Sequence, residues 1–164
     1  MFLATTALSE FWDCDEELLF ISPTCLLYSE KHKWSKLNYQ ILPCPWDDRQ
    51  RFYEAGEYLS ICTEKILNQL VDYLNVVHNT QLSHTYWRLI VGYWLFIYLH
   101  TLYDRYTLLK EAFKQYPSLR TVLLDPSDFI KHRDARGYID SSFSDAFNLQ
   151  LFSQILTSLG YQFP

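Results

Sequence analysis

Neither G-x-G-x-x-G nor G-x-x-x-x-G-K-[ST] occurs in this chain, which has only four glycines in 164 residues. Dinucleotide and P-loop phosphate binding are therefore without motif support. Cys14, Cys25, Cys44 and Cys62 form no C-x-x-C pair and have no histidine at zinc spacing, so no metal site is expected. No Ser-His-Asp order and no nucleophile elbow appear. Basic excess is missing too: the net charge is −5, which argues against nucleic acid as a partner. A phosphorylated small molecule stays compatible with that charge, since one arginine or one helix N-terminus suffices to hold it. The N-terminus, MFLATTALSEFWD, lacks a positive region and turns acidic by Glu10. No signal peptide is expected, the thiols read as reduced, and the expected compartment is the cytoplasm. No repeat, low-complexity tract or linker divides the chain, so residues 1–164 read as a single domain.

What the chain has in quantity is aromatic side chains, 18% of the total, with 13 tyrosines and five tryptophans. Their hydroxyl and indole groups need partners when buried, which suits either a large aromatic core or a site for a polar ring-shaped ligand. From Leu89 to Tyr103 no side chain carries a formal charge. That run is too short and too aromatic for an ordinary membrane span and too apolar all round for a surface helix, so a largely buried helix is expected. Tyr86, Trp87 and Arg88 bracket it on one side, and Tyr103, Asp104, Arg105 and Tyr106 on the other.

Phe2–Ala7, Leu18–Ser22 and Tyr39–Leu42 read as short buried strands, and Arg120–Asp125 as a fourth. Asp47–Val77 carries Phe52, Ala55, Leu59, Cys62, Ile66, Leu70, Tyr73 and Val77 at helical steps, with Asp47 or Asp48 as its cap. Ser83 opens a second long helix that runs to about Tyr116, with a bend expected near Gly92. Lys131–Tyr138 reads as a charged loop. Ser144 caps a last helix, Asp145–Leu159, ended by Gly160. Apolar rather than alternating strands followed by helices predict an α/β fold with a mainly parallel sheet covered on both faces.

In such a sheet, ligands bind beyond the C-terminal ends of the strands. That places Thr5, Thr6 and Ser9, then Ser22–Cys25, then Trp46–Arg49, and finally Asp125–Asp128 as candidates. Trp46 offers a stacking face, and Asp47 or Asp48 a general base at a helix start, or simply an N-cap. His84 and Arg88 share a helix face with Tyr86 and Trp87 beside them. Arg88 suits a phosphate or carboxylate, or a structural pair with Asp47, Asp48 or Asp125. Asp104–Arg105 reads as a structural ion pair. His32, His78, His100 and His132 have no partners at ligand spacing and read as surface, loop or core residues.

FLATTALSEFWD, NYQILPCPWDDR, HTYWRLIVGYWLFIYLHTLYDRY, LLDPSDF and DAFNLQLFSQIL together resemble the N-terminal part of a family of transferases. These are encoded in bacterial O-antigen and other surface-polysaccharide clusters and were first grouped from leptospiral sequences. The resemblance runs from Phe2 to about Gly160. It implies a glycosyltransferase-like enzyme with two Rossmann-like three-layer halves, of which this chain supplies the N-terminal, acceptor-side half. A nucleotide-activated sugar is the implied donor, held largely by a C-terminal domain that this chain lacks, and no cofactor is implied within the chain itself. A glycan or lipid-linked acceptor is the implied partner, with peripheral contact at the inner face of the membrane. The positions that the resemblance marks are Thr5, Thr6, Trp46, Asp47, Asp48 and Arg49, then Tyr86, Trp87 and Arg88, and further on Asp104, Arg105, Tyr106, Asp125 and Asn148. The competing expectation is a non-catalytic module that binds another protein through an exposed aromatic face.

Overall fold

The computed structural model describes residues 1–163. Three strands, β1 (Phe2–Ala4), β2 (Leu18–Phe20) and β3 (Tyr39–Ile41), pair in parallel in the order β1-β2-β3. Phe2 stands opposite Leu18, and Leu18 opposite Tyr39. Every residue of β1 and β2 is buried. Because successive side chains point to opposite faces, β1 and β2 are covered on both faces, as their apolar runs predict. The third run, Tyr39–Leu42, is also expected to be buried, but β3 is an edge strand with Tyr39 half-buried and Gln40 and Ile41 exposed, and only Leu42 beyond it is buried. Each such buried leucine or phenylalanine contributes about 1.5–3 kcal/mol.

The links between the strands hold only 3-10 turns and the one-turn helix α1 (Lys31–Trp34); the longer helices all follow β3. These are α2 (Arg49–Val77), α3 (His84–Gln115), α4 (Ala135–Ser141) and α5 (Asp145–Ser158). A Rossmann-like three-layer sheet is therefore not formed, since the strand-helix-strand crossovers that build its layers are missing. The main core joins the sheet to Leu108, Leu109 and Ala112 of α3 and to Phe152, Ile155 and Leu156 of α5.

The fourth expected strand reduces to a single parallel bridge between Phe2 and Arg120. Leu3 N–H donates to the Arg120 carbonyl at 2.7 Å. The Thr121 hydroxyl then donates to the Leu3 carbonyl at 2.7 Å, taking the acceptor that the next backbone N–H of the ladder would use. Leu124 N–H is instead held by Ser153 Oγ on α5.

The caps follow the sequence closely. Asp48 Oδ1 accepts from Gln50 N and Arg51 N at the start of α2, and Ser83 and Ser144 cap α3 and α5. Gly160, at φ 82°, ends α5 with its N–H on the Thr157 carbonyl while Tyr161 N–H reaches Leu156, a Schellman closure. Asn79, at φ 50°, does the same for α2, with Thr80 N–H on the Asn75 carbonyl.

Two expectations for these helices need correction. The buried row of α2 is Leu59, Thr63, Leu67 and Val71, so the predicted stripe is turned and leaves Phe52, Tyr73 and Val77 exposed. Nor is α3 largely buried: Leu89 is 79% and Tyr93 68% exposed, with Ile90 and Phe96 also outward. The reason is reach. A helix of this length spans about 48 Å at 1.5 Å per residue, and the sheet covers only its C-terminal part. The N-terminal half has cover on limited faces, from Leu67 and Val71 of α2 and from the cluster of Tyr138, Phe147 and Leu151. At Gly92 an added Cβ would stand 3.4 Å from Arg88 Cγ, an ordinary van der Waals contact. Residues 131–138, expected as a charged loop, contain the first turn of α4, capped by Asp134 on Gly137 N.

Candidate active site

A pocket of about 260 Å³ opens beyond the C-terminal ends of all three strands. Thr5 and Thr6 enter it after β1, Ser22 and Thr24 after β2, and Cys44 and Trp46 after β3. The far wall comes from two helices: Asp104 and Arg105 on α3, Asp145 and Asn148 at the start of α5. The parallel sheet thus gathers its strand ends where theory places ligands, and the helices supply the charge.

The charged wall is a connected network. Asp104 accepts from the Trp46 indole N–H through Oδ1 and pairs with Arg105 through Oδ2. Arg105 Nε donates to Asn148 Oδ1 at 2.8 Å. The Asn148 amide in turn donates to the Ser142 and Ser144 carbonyls, fixing its oxygen toward the guanidinium. Asp104 and Arg105 are only 26% and 24% exposed, so both charges sit at the pocket wall rather than in bulk water. Asp145 Oδ1 accepts from Ala7 N–H at 3.0 Å, tying α5 to the turn after β1. Its second oxygen has no hydrogen-bond partner among the described residues, and neither do the Thr5 and Thr6 hydroxyls, although both threonines are buried. Arg51 lies over the Trp46 ring at 5.8 Å and pairs with Glu111 at 2.8 Å.

The other expected site residues lie elsewhere. Asp48 spends its carboxylate on the α2 cap, and Asp47, Asp48 and Arg49 are exposed outside the pocket. Asp125 is also exposed, accepting from Ser127 N and Oγ. That Ser127 hydrogen bonding holds its carboxyl below the ordinary value. Tyr86, Trp87 and Arg88 do not face the Trp46–Arg49 turn, because α3 separates residues 88 and 104 by about 24 Å. Arg88 instead pairs with Glu64 of α2. Its hydrogen bond, followed by the charges of Arg88 and His84, holds the Glu64 carboxyl low. Trp87 is buried and donates its indole N–H to Asn75 at 3.0 Å. His84 sits by the Arg88–Glu64 pair with Nε2 buried and unpartnered among the described residues.

A second, larger cavity of about 1080 Å³ lies between α2, α3, α5 and the segment around Phe129–His132. No local sequence pattern signals it, because its walls come from five separated segments, Tyr138 of α4 included. His132, read as a plain loop or surface residue, lines it, with its ring 4.6 Å from Phe147.

Among the described residues no helix is long and apolar enough to cross a membrane, and no three acidic, histidine or cysteine side chains cluster to hold a metal ion. No curated protein and no solved structure matches the chain. One family model does, over residues 1–164, and its description is LIC12162 family transferase.

Proposed function

The chain belongs to the LIC12162 family of transferases, and from that premise we propose that it forms the N-terminal, acceptor-side part of a glycosyltransferase-like enzyme. In this reading the whole enzyme makes bacterial surface polysaccharide such as O-antigen. It moves a sugar from a nucleotide donor to a glycan or lipid-linked acceptor at the cytoplasmic face of the membrane. The observation that carries the reading is the polar pocket at the strand ends, with unpartnered threonine hydroxyls, a carboxylate with one free oxygen and a positioned guanidinium in one small space.

The chemistry follows from those groups. The hydroxyls of Thr5 and Thr6 hold the acceptor sugar, and Trp46 offers a ring face beside it. Asp145, through the oxygen not bound to Ala7, takes the proton of the acceptor hydroxyl as the acceptor's own oxygen bonds to the donor's anomeric carbon and the nucleotide leaves with its bonding pair. Arg105, held by Asp104 and Asn148, faces the negative charge of a phosphate or acidic sugar. This assignment moves the base away from Asp47 and Asp48, since Asp48 caps α2 and Asp47, in the turn before it, is exposed outside the pocket.

Sugar transfer by the whole enzyme tests it. Asp145→Asn, which keeps an oxygen for Ala7 N–H, lowers kcat by at least about a hundredfold, the scale of general-base loss. Asp47→Asn leaves kcat within about twofold. Equal rates for Asp145→Asn and the unaltered enzyme would overturn the assignment.

A second reading, a non-catalytic interaction module, is favoured by the outward Leu89, Ile90 and Tyr93 on α3. Sedimentation of the purified chain separates the two, since a monomer at micromolar concentration with no partner counts against the module.

A further inference from the structure

The strand-end pocket, at about 260 Å³, is smaller than the range of about 300–1,000 Å³ that holds drug-sized ligands. It has room for one sugar ring, so the rest of an acceptor chain lies on the surface beside it. One wall of the pocket shows where. The Trp46 ring begins a row of aromatic side chains that leaves the pocket and runs into the larger cavity, which Tyr103 and Tyr58 line. Ring centroids are 6.2 Å apart from Trp46 to Tyr103 and 5.6 Å from Tyr103 to Tyr58. The ring planes turn by 32° and 43° at these two steps, forming a twisted strip. On its other side Trp46 meets Phe52 at 74°, edge to face, and the strip does not continue.

The row is open to solvent. Tyr58 is 55% exposed, and Trp46 and Tyr103 are half-buried. Hydroxyls accompany the ring faces. The Cys62 side chain does most to raise the Tyr58 phenol above its ordinary value, and the neighbouring phenols of Tyr103 and Tyr106 add to it. The Tyr103 and Tyr106 hydroxyls have no hydrogen-bond partner among the described residues, yet they are not sealed from solvent. The charges that touch the row are already paired: Arg51, over Trp46, with Glu111, and Asp104, on the Trp46 indole, with Arg105.

A sugar ring has a face of C–H bonds and a rim of hydroxyls, which complements an aromatic face with hydroxyls beside it. Steps of 5.6 and 6.2 Å are close to the length of one pyranose along a glycan. A lipid tail laid here would cover the phenols without pairing them, and an anionic chain would meet no free cation on the row. We propose that the row is the path of an oligosaccharide acceptor of at least three sugars. Its terminal ring is in the pocket against Trp46, the second lies on Tyr103 and the third on Tyr58, the last two being uncharged. This inference rests on the sugar-transfer reading and narrows its acceptor to a preassembled glycan.

The test is a ligand-observed NMR titration of the purified chain with glucose, maltose and maltotriose, and with cellobiose and cellotriose. Both linkages are used because stacking reads ring faces. Affinity is expected to rise about fivefold with each added ring in at least one series, the worth of one aromatic contact. Tyr58→Ala, at an exposed position of α2, makes the trisaccharide bind no better than the disaccharide. Tyr58→Phe keeps the face and retains most of that step. Affinity that is flat with length in both series, a third step that survives Tyr58→Ala, or one that Tyr58→Phe loses as fully, each overturns the proposal. The two readings fail separately. Flat binding with transfer still slowed by Asp145→Asn overturns the row alone, and length-dependent binding with an inert Asp145→Asn overturns the base alone.

Discussion

Replacing Asn75 by alanine tests how the α2–α3 hairpin is held. One side-chain amide at the end of α2 makes four hydrogen bonds across the turn. Its Nδ2 donates to the Leu82 carbonyl at 3.0 Å, and its Oδ1 accepts from Leu82 N at 2.8 Å, Trp87 Nε1 at 3.0 Å and Thr80 Oγ1 at 3.0 Å. These bonds are not equal once the amide is gone. The Thr80 and Leu82 groups are half-buried and can turn to water, so each accounts for roughly 0.5 kcal/mol. Trp87 is buried in the small cluster with Leu67, Val71 and Leu95, and its indole N–H would be left with nothing, at about 1–3 kcal/mol. With the three Thr80 and Leu82 groups included, the sum for Asn75→Ala is about 2.5–4.5 kcal/mol, or a fall in Tm of roughly 5–18 °C for a chain of this size. Asn75→Asp keeps the acceptor and loses only the donor, so it falls between the two. Thermal unfolding followed by circular dichroism gives the shift, and the NMR signal of the Trp87 indole reports its exchange with solvent. A Tm within 1 °C of the unaltered chain, with the Trp87 indole still protected, would refute the reasoning.

Other consequences are as direct. Asp104→Ala leaves the Trp46 N–H and the Arg105 guanidinium without their carboxylate; because the site is about a quarter exposed, a loss of roughly 1–2 kcal/mol in urea unfolding is expected, with Asp104→Asn costing less. Equal costs for the two would show that the Trp46 bond contributes little. Gly56→Ala, where an added Cβ meets no atom within 4 Å, stabilises α2 by about 1 kcal/mol, and a lowered Tm would contradict it. Burial pushes the Cys25 thiol from 9.0 up to about 12, so the folded chain retains that proton more tightly than the unfolded one. The resulting stability is complete below pH 9 and is lost as pH rises toward 12; Cys25→Ala flattens this loss, as unfolding between pH 8 and 11 can show. In the native chain a thiol reagent modifies the exposed Cys14 and Cys44 and spares Cys25 until unfolding.

How far the sequence could be read depended on whether a feature is local. Asp48, Ser83 and Ser144 were legible as caps because a cap is decided by the side chain and the few N–H groups after it. Thr5, Thr6 and Trp46 were legible as pocket residues because a parallel sheet sends all its strand ends the same way. Asp104 and Arg105 were legible as an ion pair, but the roles of Asn148 and Asp145 depend on where α5 docks, which no local pattern encodes. Arg88 was misplaced for a related reason. Its neighbours Tyr86 and Trp87 suggested a site, yet its partner Glu64 is on the preceding helix, 24 residues away in sequence, and only the packing of α2 on α3 brings the two together. The exposure of Leu89 and Tyr93 was hidden by composition: apolarity signals a wish for burial, and α2 and the cluster around Tyr138 cover only some faces of that half of α3.

The hydroxyl of Thr121 has a further consequence for how this sheet can be enlarged. By occupying the Leu3 carbonyl it closes the β1 side after one rung, and no incoming strand can continue the ladder there without displacing it. On the opposite side Gln40 and Ile41 are exposed, and the outward backbone groups of Tyr39 and Ile41 have no partner among the described residues. A further strand would therefore find free backbone groups beside β3, next to the turn that carries Trp46. Among the described residues the side of the sheet left open for growth is that of β3, and it borders the polar pocket.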